Sequence, residues 1–149
     1  MGSAGETGLW VYLNGKFVPA AEATVSVFDR SFVYGDGVFE GIEVENGGIF
    51  KLDAHVERLY RSAAFLRIAI PMPKADMRDV IIEVVRRSEL RNGYIRPLVS
   101  RGAGPLGLER VAGQAVDGDD AVAGQHSAAD AAQAGIGRAS CRERVYHPV

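Results

Sequence analysis

The chain has 149 residues, of which 47% are hydrophobic and 24% are charged, and its formal net charge is −2. This composition is that of an ordinary globular domain, and its near-neutral charge gives no reason to expect nucleic acid or an anionic membrane as a partner. No apolar run approaches the roughly 20 residues that span a bilayer, the first ten residues lack the features of a signal peptide, and the single Cys141 excludes a disulfide framework. We therefore expect a cytoplasmic protein without a metal site.

The N-terminal part of the chain is predicted to form strands and tight turns. "WVYLNGKFVPA" contains two short apolar runs around Asn14-Gly15, a pair that accepts the positive φ angles of a type I′ hairpin turn. "ATVSVF" alternates between apolar and small or polar residues and predicts a further strand. "GVFEGIEVENGGIFKL" predicts a second hairpin, which turns at Asn46-Gly47-Gly48.

Two helices and a returning strand follow. Asp53 is the predicted N-cap of the first helix, which "IPMP" ends, and the second helix covers about residues 75–90. The apolar residues at helical spacing are Val56, Leu59, Tyr60, Ala63 and Leu66 in the first helix, and Met77, Val80, Ile81, Val84 and Val85 in the second. "YIRPLVSRG" then predicts a strand. This order is typical of an α+β domain, in which two helices pack on a mostly antiparallel sheet.

The composition changes sharply near residue 108. Residues 1–108 hold all six Phe, the single Trp, all nine Leu and all three Lys, whereas residues 109–149 hold none of these but ten Ala and five Gly. Such a segment buries too little apolar surface to offset a chain entropy of about 1–2 kcal/mol per residue. We therefore predict a folded domain over residues 1–108 and a poorly ordered, low-complexity tail over residues 109–149.

The end of the tail suggests one origin for this change. "GRASCRERV" resembles peptides that arise when an open reading frame continues into adapter or vector sequence. Our hypothesis is that translation leaves the true frame just after Leu108. The alternative is a natural disordered tail.

Three sequence blocks carry a resemblance to a known family. "VYGDGVFEGI", "FKLDAHVERLYRSA" and "YIRPLVSRGAGPLGL" resemble successive blocks of the class IV (fold-type IV) aminotransferases, at the spacing of the branched-chain amino acid aminotransferases. The resemblance covers residues 10–108 and implies the small N-terminal domain of such an enzyme. It further implies pyridoxal 5′-phosphate as cofactor, amino-acid and 2-oxo-acid substrates, and a parent protein that is a homodimer or a higher homo-oligomer.

The "HVERL" block contains the candidate cofactor residue. In the family, the arginine that matches Arg58 holds the phosphate of pyridoxal phosphate, and a guanidinium suits this role because it stays charged and can bind phosphate oxygens bidentately. The alternative is an ordinary surface arginine. His55 lies three residues earlier on the same helix face, and we interpret it as a structural residue.

The "YGDGVFEGIEVE" block contains candidate substrate residues. Phe39, Gly41 and Glu43 share one face of a strand because side chains alternate. The resemblance implies that Phe39 and Gly41 form the wall of the substrate pocket, where glycine leaves room for a branched side chain. It also implies that Tyr34 reaches the pocket of a neighbouring subunit.

A second pair of candidate substrate residues lies in "YIRP". Tyr94 and Arg96 share a strand face, and the resemblance implies that Tyr94 orients the substrate carboxylate and that Arg96 receives the side-chain carboxylate of glutamate. The chain departs from the branched-chain pattern at Glu43, where an arginine is usual. Since an unpaired carboxylate would repel the substrates, we expect Glu43 to pair with Arg96 or another nearby cation.

Transamination needs a lysine that forms a Schiff base with the cofactor and moves the substrate proton. The chain has only Lys16, Lys51 and Lys74, and none matches the catalytic lysine of the family, which belongs to the larger C-terminal domain. We therefore assign no catalytic residue and expect the chain to be inactive alone. The alternatives are a fragment of a D-amino acid aminotransferase or an aminodeoxychorismate lyase, or a non-enzymatic interaction module.

Overall fold

The computed structural model describes residues 8–103 and, for the backbone alone, residues 121–127 and 145–146. In this part of the chain there are eight β-strands, three α-helices and one 3₁₀ turn at Ala20–Glu22. The strands are β1 Trp10–Leu13, β2 Lys16–Pro19, β3 Gly37–Phe39, β4 Ile42–Glu45, β5 Gly48–Phe50, β6 Gly93–Ser100, β7 Ala121–Ser127 and β8 Val145–Tyr146. The helices are α1 Arg30–Tyr34, α2 Leu52–Phe65 and α3 Lys74–Arg87.

The strands form one antiparallel sheet in the order β2-β1-β7-β6-β4-β5-β8. β3 and β4 follow one another along the same edge of β6, with β3 opposite its C-terminal end and β4 opposite its N-terminal end. The predicted α+β architecture is confirmed. The residues between β3 and β4 thus lie in the middle of the sheet.

The hydrophobic core lies between one face of the sheet and the helices α2 and α3. Alternate residues of β4 and β6 point into it because side chains alternate along a strand. The buried core residues are Ile42, Val44, Ile49, Leu52, Val56, Leu59, Ala63, Ile68, Met77, Ile81, Val84, Val85, Ile95 and Val99. The apolar faces predicted for the two helices are therefore the faces that pack.

The two predicted hairpins form with two-residue turns. Asn14 and Gly15 connect β1 to β2 with φ angles of 49° and 84°. Asn46 and Gly47 connect β4 to β5 with φ angles of 51° and 81°. Gly48, which is predicted to belong to the second turn, instead pairs with Glu45 as the first residue of β5.

Two local predictions are wrong. "ATVSVF" forms no strand: residues 23–26 are irregular, residues 27–28 form a turn, and Val25 and Val27 are 61% and 66% exposed. Alternation alone does not make a strand when no neighbouring strand supplies hydrogen bonds. Asp53 is not the N-cap of α2, because Lys51 occupies that position, but Asp53 lies in the first turn, where its charge favours the helix dipole.

Two strands fall in the segment predicted to be poorly ordered, namely β7 and the two-residue β8, which pairs with β5. The backbone of β7 pairs with β6 from Gly93↔Ser127 to Val99↔Ala121 and also with β1, so these seven residues depart from that prediction. Residues 104–120 and most of residues 128–149 lie outside the described residues, and the division of the chain at residue 108 stays a prediction. Within the described part, no helix combines the length and apolarity that crossing a bilayer requires.

Candidate active site

The face of the sheet that α2 and α3 leave uncovered brings most of the predicted substrate residues together. Phe39 lies opposite Leu98 in the β3–β6 pair, and Glu43 lies opposite Tyr94 in the β4–β6 pair. The same register continues between the two strands, because the N–H of Glu40 donates to the carbonyl of Pro97 at 3.0 Å. Gly41 therefore comes opposite Arg96. The residues that share this open face are Phe39, Gly41, Glu43, Tyr94 and Arg96.

Arg96 and Phe39 form a contact across the open face. The guanidinium carbon of Arg96 lies 5.0 Å from the centroid of the Phe39 ring, a cation–π distance. Among the described residues no ion pair joins Glu43 to Arg96 or to another cation, so the predicted pairing of Glu43 is wrong there. Glu43 lies directly opposite Tyr94, whereas Arg96 lies two residues farther along β6. The side chain of Arg96 lies over the Phe39 ring and not beside Glu43.

Gly41 has free space above it. A Cβ atom added at this residue would meet no heavy atom of the described chain within 4 Å, and its φ lies outside the left-handed region. Gly37 differs, since a Cβ there would come within 2.9 Å of the Ser31 Cβ and of the Val99 carbonyl oxygen. Local packing therefore explains the glycine at position 37 but not the one at position 41.

A groove of about 680 Å³ borders this face. Phe39 and Arg96 line it, together with Val25, which lies in the connection after β2, and Phe32 of α1. Tyr34, Gly41, Glu43 and Tyr94 are not among the lining residues. The groove thus joins an aromatic ring and a guanidinium in one concave surface, which is what recognition of an amino acid with an apolar or an anionic side chain requires.

Arg58 lies on the helix-covered side of the sheet and not with the substrate residues. Its Nε donates to Oε1 of Glu40 at 2.7 Å, and its Nη2 donates to Oε2 at 2.6 Å. Nδ1 of His55 lies 2.8 Å from the same Oε2. The Glu40 side chain is 6% exposed and that of Arg58 is 55% exposed, so a buried carboxylate holds a half-exposed guanidinium.

Burial disfavours the charged form of Glu40, but the hydrogen bonds from Arg58 and His55 outweigh it and hold the pKa of this carboxyl below its ordinary value. The hydrogen bond from Glu40 correspondingly raises the pKa of Arg58. Both groups are therefore charged at neutral pH. The bonds to Glu40 use Nε and Nη2 of Arg58, and Nη1 has no hydrogen-bond partner among the described residues.

The short helix α1, which the sequence analysis missed, carries Tyr34. Asp29 caps it, since its carboxylate accepts from the Ser31 N–H at 2.7 Å and from the hydroxyl groups of Ser31 and Ser100. Gly35 ends it with a φ of 68°. An Asp cap followed six residues later by a glycine was the available signal. Tyr34 is partly exposed and lies at the C-terminal end of this helix.

Asp36, also missed, binds two arginines, Arg30 of α1 and Arg101, which follows β6. Arg101 donates to it through Nε at 2.7 Å and Nη2 at 3.1 Å, and Arg30 donates through Nε at 3.2 Å. Arg101 also donates to the carbonyl oxygens of Leu66 and Arg67, just after α2. The bonds from Arg101 are the main reason that the pKa of Asp36 lies below its ordinary value.

The fold and these sequence blocks together define a class of proteins. The family model for amino-transferase class IV matches residues 37–140, well over half of the chain. The chain therefore belongs to the class IV aminotransferases, as the resemblance implied. For this family, pyridoxal phosphate is the implied cofactor.

The curated relatives of this chain include two kinds of aminotransferase. The chain is 54% identical over 99 residues to a putative branched-chain-amino-acid aminotransferase of Methanocaldococcus jannaschii, and covers 34% of that protein with 66% of its own length. It is 37% identical over 95 residues to a D-alanine aminotransferase of Bacillus licheniformis, where 64% of the chain covers 34% of the relative. Both kinds of aminotransferase are thus similar to this chain.

A solved structure of a branched-chain aminotransferase is also similar to this chain. The branched-chain aminotransferase of the thermophilic archaeon Thermoproteus uzoniensis, crystallised with norvaline, matches with a TM-score of 0.66 and 32% identity, over 80% of this chain and 40% of that one. The chain thus spans about a third of the length of the curated relatives and less than half of that structure.

Proposed function

We propose that this chain forms the small-domain side of the active site of a pyridoxal phosphate-dependent transaminase, which moves an amino group between branched-chain amino acids and 2-oxoglutarate. The observation that supports this most is the cross-strand register of the open face. It sets an aromatic ring, an unfilled space at Gly41, a guanidinium and a phenol side by side.

Each of these groups has a task in the proposal. Phe39 and the space above Gly41 accept a branched aliphatic side chain, which gains free energy when its apolar surface leaves water. Arg96, 5.0 Å from the Phe39 ring, accepts the side-chain carboxylate of glutamate or 2-oxoglutarate. Tyr94 orients the carboxylate at the α-carbon. One surface can thus bind both members of the substrate pair in turn.

The residues present also fit the phosphate of the cofactor. Arg58 is half-exposed, stays charged, and keeps Nη1 available among the described residues. When bound, pyridoxal phosphate supplies an electron sink for the negative charge that develops at the α-carbon and carries the amino group. Arg58 would hold its phosphate while the open-face residues orient the amino acid.

The proton-transferring lysine must come from outside this chain. Lys16 begins β2, Lys51 precedes α2, and Lys74 begins α3, where it pairs with Glu57 at 2.6 Å. None of these lysines belongs to β3, β4 or β6, whose residues form the open face. The 149-residue chain is therefore proposed to be inactive alone, within a parent that is a homodimer or a higher homo-oligomer in which Tyr34 reaches the neighbouring pocket.

A D-amino acid aminotransferase is the second candidate. The similarity to the Bacillus licheniformis D-alanine aminotransferase favours it, and so does Glu43, which departs from the arginine of the branched-chain pattern. The two candidates differ in the enantiomer of the amino donor, so L- and D-amino acids separate them.

The test measures amino transfer in the complete aminotransferase that carries this segment, with L-leucine, L-glutamate and D-alanine as donors. We expect activity with the two L-amino acids, and Arg96→Met should raise the KM for L-glutamate more than that for L-leucine. Lys16→Met serves as the control, since Lys16 lies on β2, three strands away from β6 in the sheet. Preference for D-alanine would establish the second candidate, and equal effects of Arg96→Met on both L-donors would refute the role of Arg96.

A further inference from the structure

Glu40 stands between two residues of the proposed pocket wall but points to the other side of the sheet. Phe39 and Gly41 face the open side, whereas the Glu40 side chain is 6% exposed and contacts Arg58 and His55. Its own backbone N–H is bonded to Pro97, next to Arg96 on β6. A single residue thus connects the substrate strands to the helix that carries the proposed phosphate ligand.

The geometry of the contact restricts Arg58 closely. Two nearly parallel hydrogen bonds of 2.7 and 2.6 Å fix both the position and the plane of the guanidinium. His55, at 2.8 Å from Oε2, restrains the carboxylate from a second direction. Among the described residues, the groups that act on the Glu40 carboxylate are the guanidinium of Arg58 and the imidazole of His55, both on α2.

Stability alone does not account for this arrangement. A buried carboxylate needs partners, but a half-exposed arginine does not, and holding its long side chain in one geometry costs entropy. The bonds occupy the Nε and Nη2 side of the guanidinium and leave Nη1 without a described partner. This is the arrangement expected of an arginine that is preorganised for an external anion.

We infer that Glu40 is a positioning residue, which holds the Arg58 guanidinium ready for the phosphate group of the cofactor and couples it to the strand that forms the substrate wall. The inference rests on the proposed role of Arg58. Glu40 would not touch the cofactor or the substrate itself. Its carboxylate also neutralises part of the Arg58 charge, so charge and positioning have to be separated in the test.

Glu40→Asp separates them, because it keeps the negative charge but shortens the side chain by one methylene and cannot reach Arg58 in the same bidentate geometry. Glu45→Asp is the matched control, since Glu45 is an exposed carboxylate on the adjacent strand β4. Amide NMR spectra of each 149-residue variant verify that the fold is kept. Pyridoxamine 5′-phosphate and pyridoxamine are the probes, and the ratio of their dissociation constants, measured with the same substitutions in the complete aminotransferase, isolates the contribution of the phosphate.

Two measurements are compared between the variants. The first is the ¹⁵N relaxation of the Arg58 Nε–H group, which should report a rigid side chain in the unmodified chain and in Glu45→Asp but a mobile one in Glu40→Asp. The second is the preference for pyridoxamine 5′-phosphate over pyridoxamine, given by the ratio of their dissociation constants. This preference should fall about threefold to tenfold in Glu40→Asp, because the negative charge near Arg58 is kept but the guanidinium is no longer held in one position. Glu40→Gln should show the same mobility.

The outcomes separate this inference from the proposed function. A rigid Arg58 and an unchanged phosphate preference in Glu40→Asp would overturn the positioning role and leave the role of Arg58 intact. Arg58→Ala should abolish the preference for pyridoxamine 5′-phosphate. If it does not, or if the unmodified complete aminotransferase has no such preference, the assignment of Arg58 fails, and the functional role of Glu40 fails with it.

Discussion

The two faces of the sheet use neighbouring residues for different purposes. On the face covered by α2 and α3, Ile42 and Ile95 are fully buried and belong to the core. On the open face, Glu43 and Arg96, the next residues along the same strands, are exposed and make no core contacts. Core residues and residues of the proposed site therefore alternate along these strands. Glu40 is a buried polar residue on the covered face.

The largest expected effect is on the covered face. Ile42→Ala removes a fully buried side chain and should lower the free energy of unfolding by about 2–5 kcal/mol, because transfer and cavity terms add. Glu43→Ala, one residue later on the open face, should change it by less than about 0.5 kcal/mol. Urea unfolding of the two variants measures both values. Equal losses would show that the open face is packed in solution.

The two glycines sharpen the comparison. Gly37→Ala should destabilise the chain by about 1–3 kcal/mol, because its Cβ would clash with the Val99 carbonyl oxygen. Gly41→Ala should leave thermal stability nearly unchanged and instead raise the KM for leucine in the complete enzyme, since the methyl group occupies the proposed substrate space. If Gly41→Ala destabilised the chain as much as Gly37→Ala, position 41 would have a structural role.

Acid should weaken the covered face through Glu40. Its pKa in the folded chain lies below the ordinary 4.5, so its stabilising effect is complete above pH 4.5 and is lost as the pH falls through the lower folded value. Glu40→Gln should therefore lower stability by about 1 kcal/mol at pH 7, and by less at pH 3. Thermal unfolding at both pH values tests this. A difference that grew at pH 3 would contradict the shift.

The sequence predicted these faces because alternation and helical spacing are local. Phe39, Gly41 and Glu43 were placed on one side by the period of a strand, and the turns at Asn14 and Asn46 follow from their positive φ angles. "ATVSVF" failed because alternation does not reveal whether a partner strand exists.

What could not be predicted depends on residues far apart in the chain. The Glu40–Arg58 pair joins residues 18 positions apart, and the cap of α1 includes a bond from Ser100 to Asp29, 71 positions away. No local pattern contains either contact. The packing of Arg96 on Phe39 rather than on Glu43 depends in the same way on the register of two strands.

The smallest effect concerns Glu43. It is exposed and has no ion pair within the described residues, so in the proposed site we expect its charge to act on dicarboxylate substrates only through water. Such interactions are worth about 0.2–1 kcal/mol, so in the complete enzyme Glu43→Arg should lower the KM for glutamate and 2-oxoglutarate by no more than about fivefold, with less change for leucine.

Salt and a matched control decide whether this effect is electrostatic. The difference should shrink at high ionic strength, because exposed charges are screened beyond a Debye length of about 10 Å at 0.1 M salt. Glu45→Arg makes the same charge change two residues along β4, farther from Arg96 in the register, and should have a weaker effect. Equal changes for leucine and glutamate would mean that Glu43 does not sense substrate charge, and the open face would then discriminate through Arg96 and Phe39 alone.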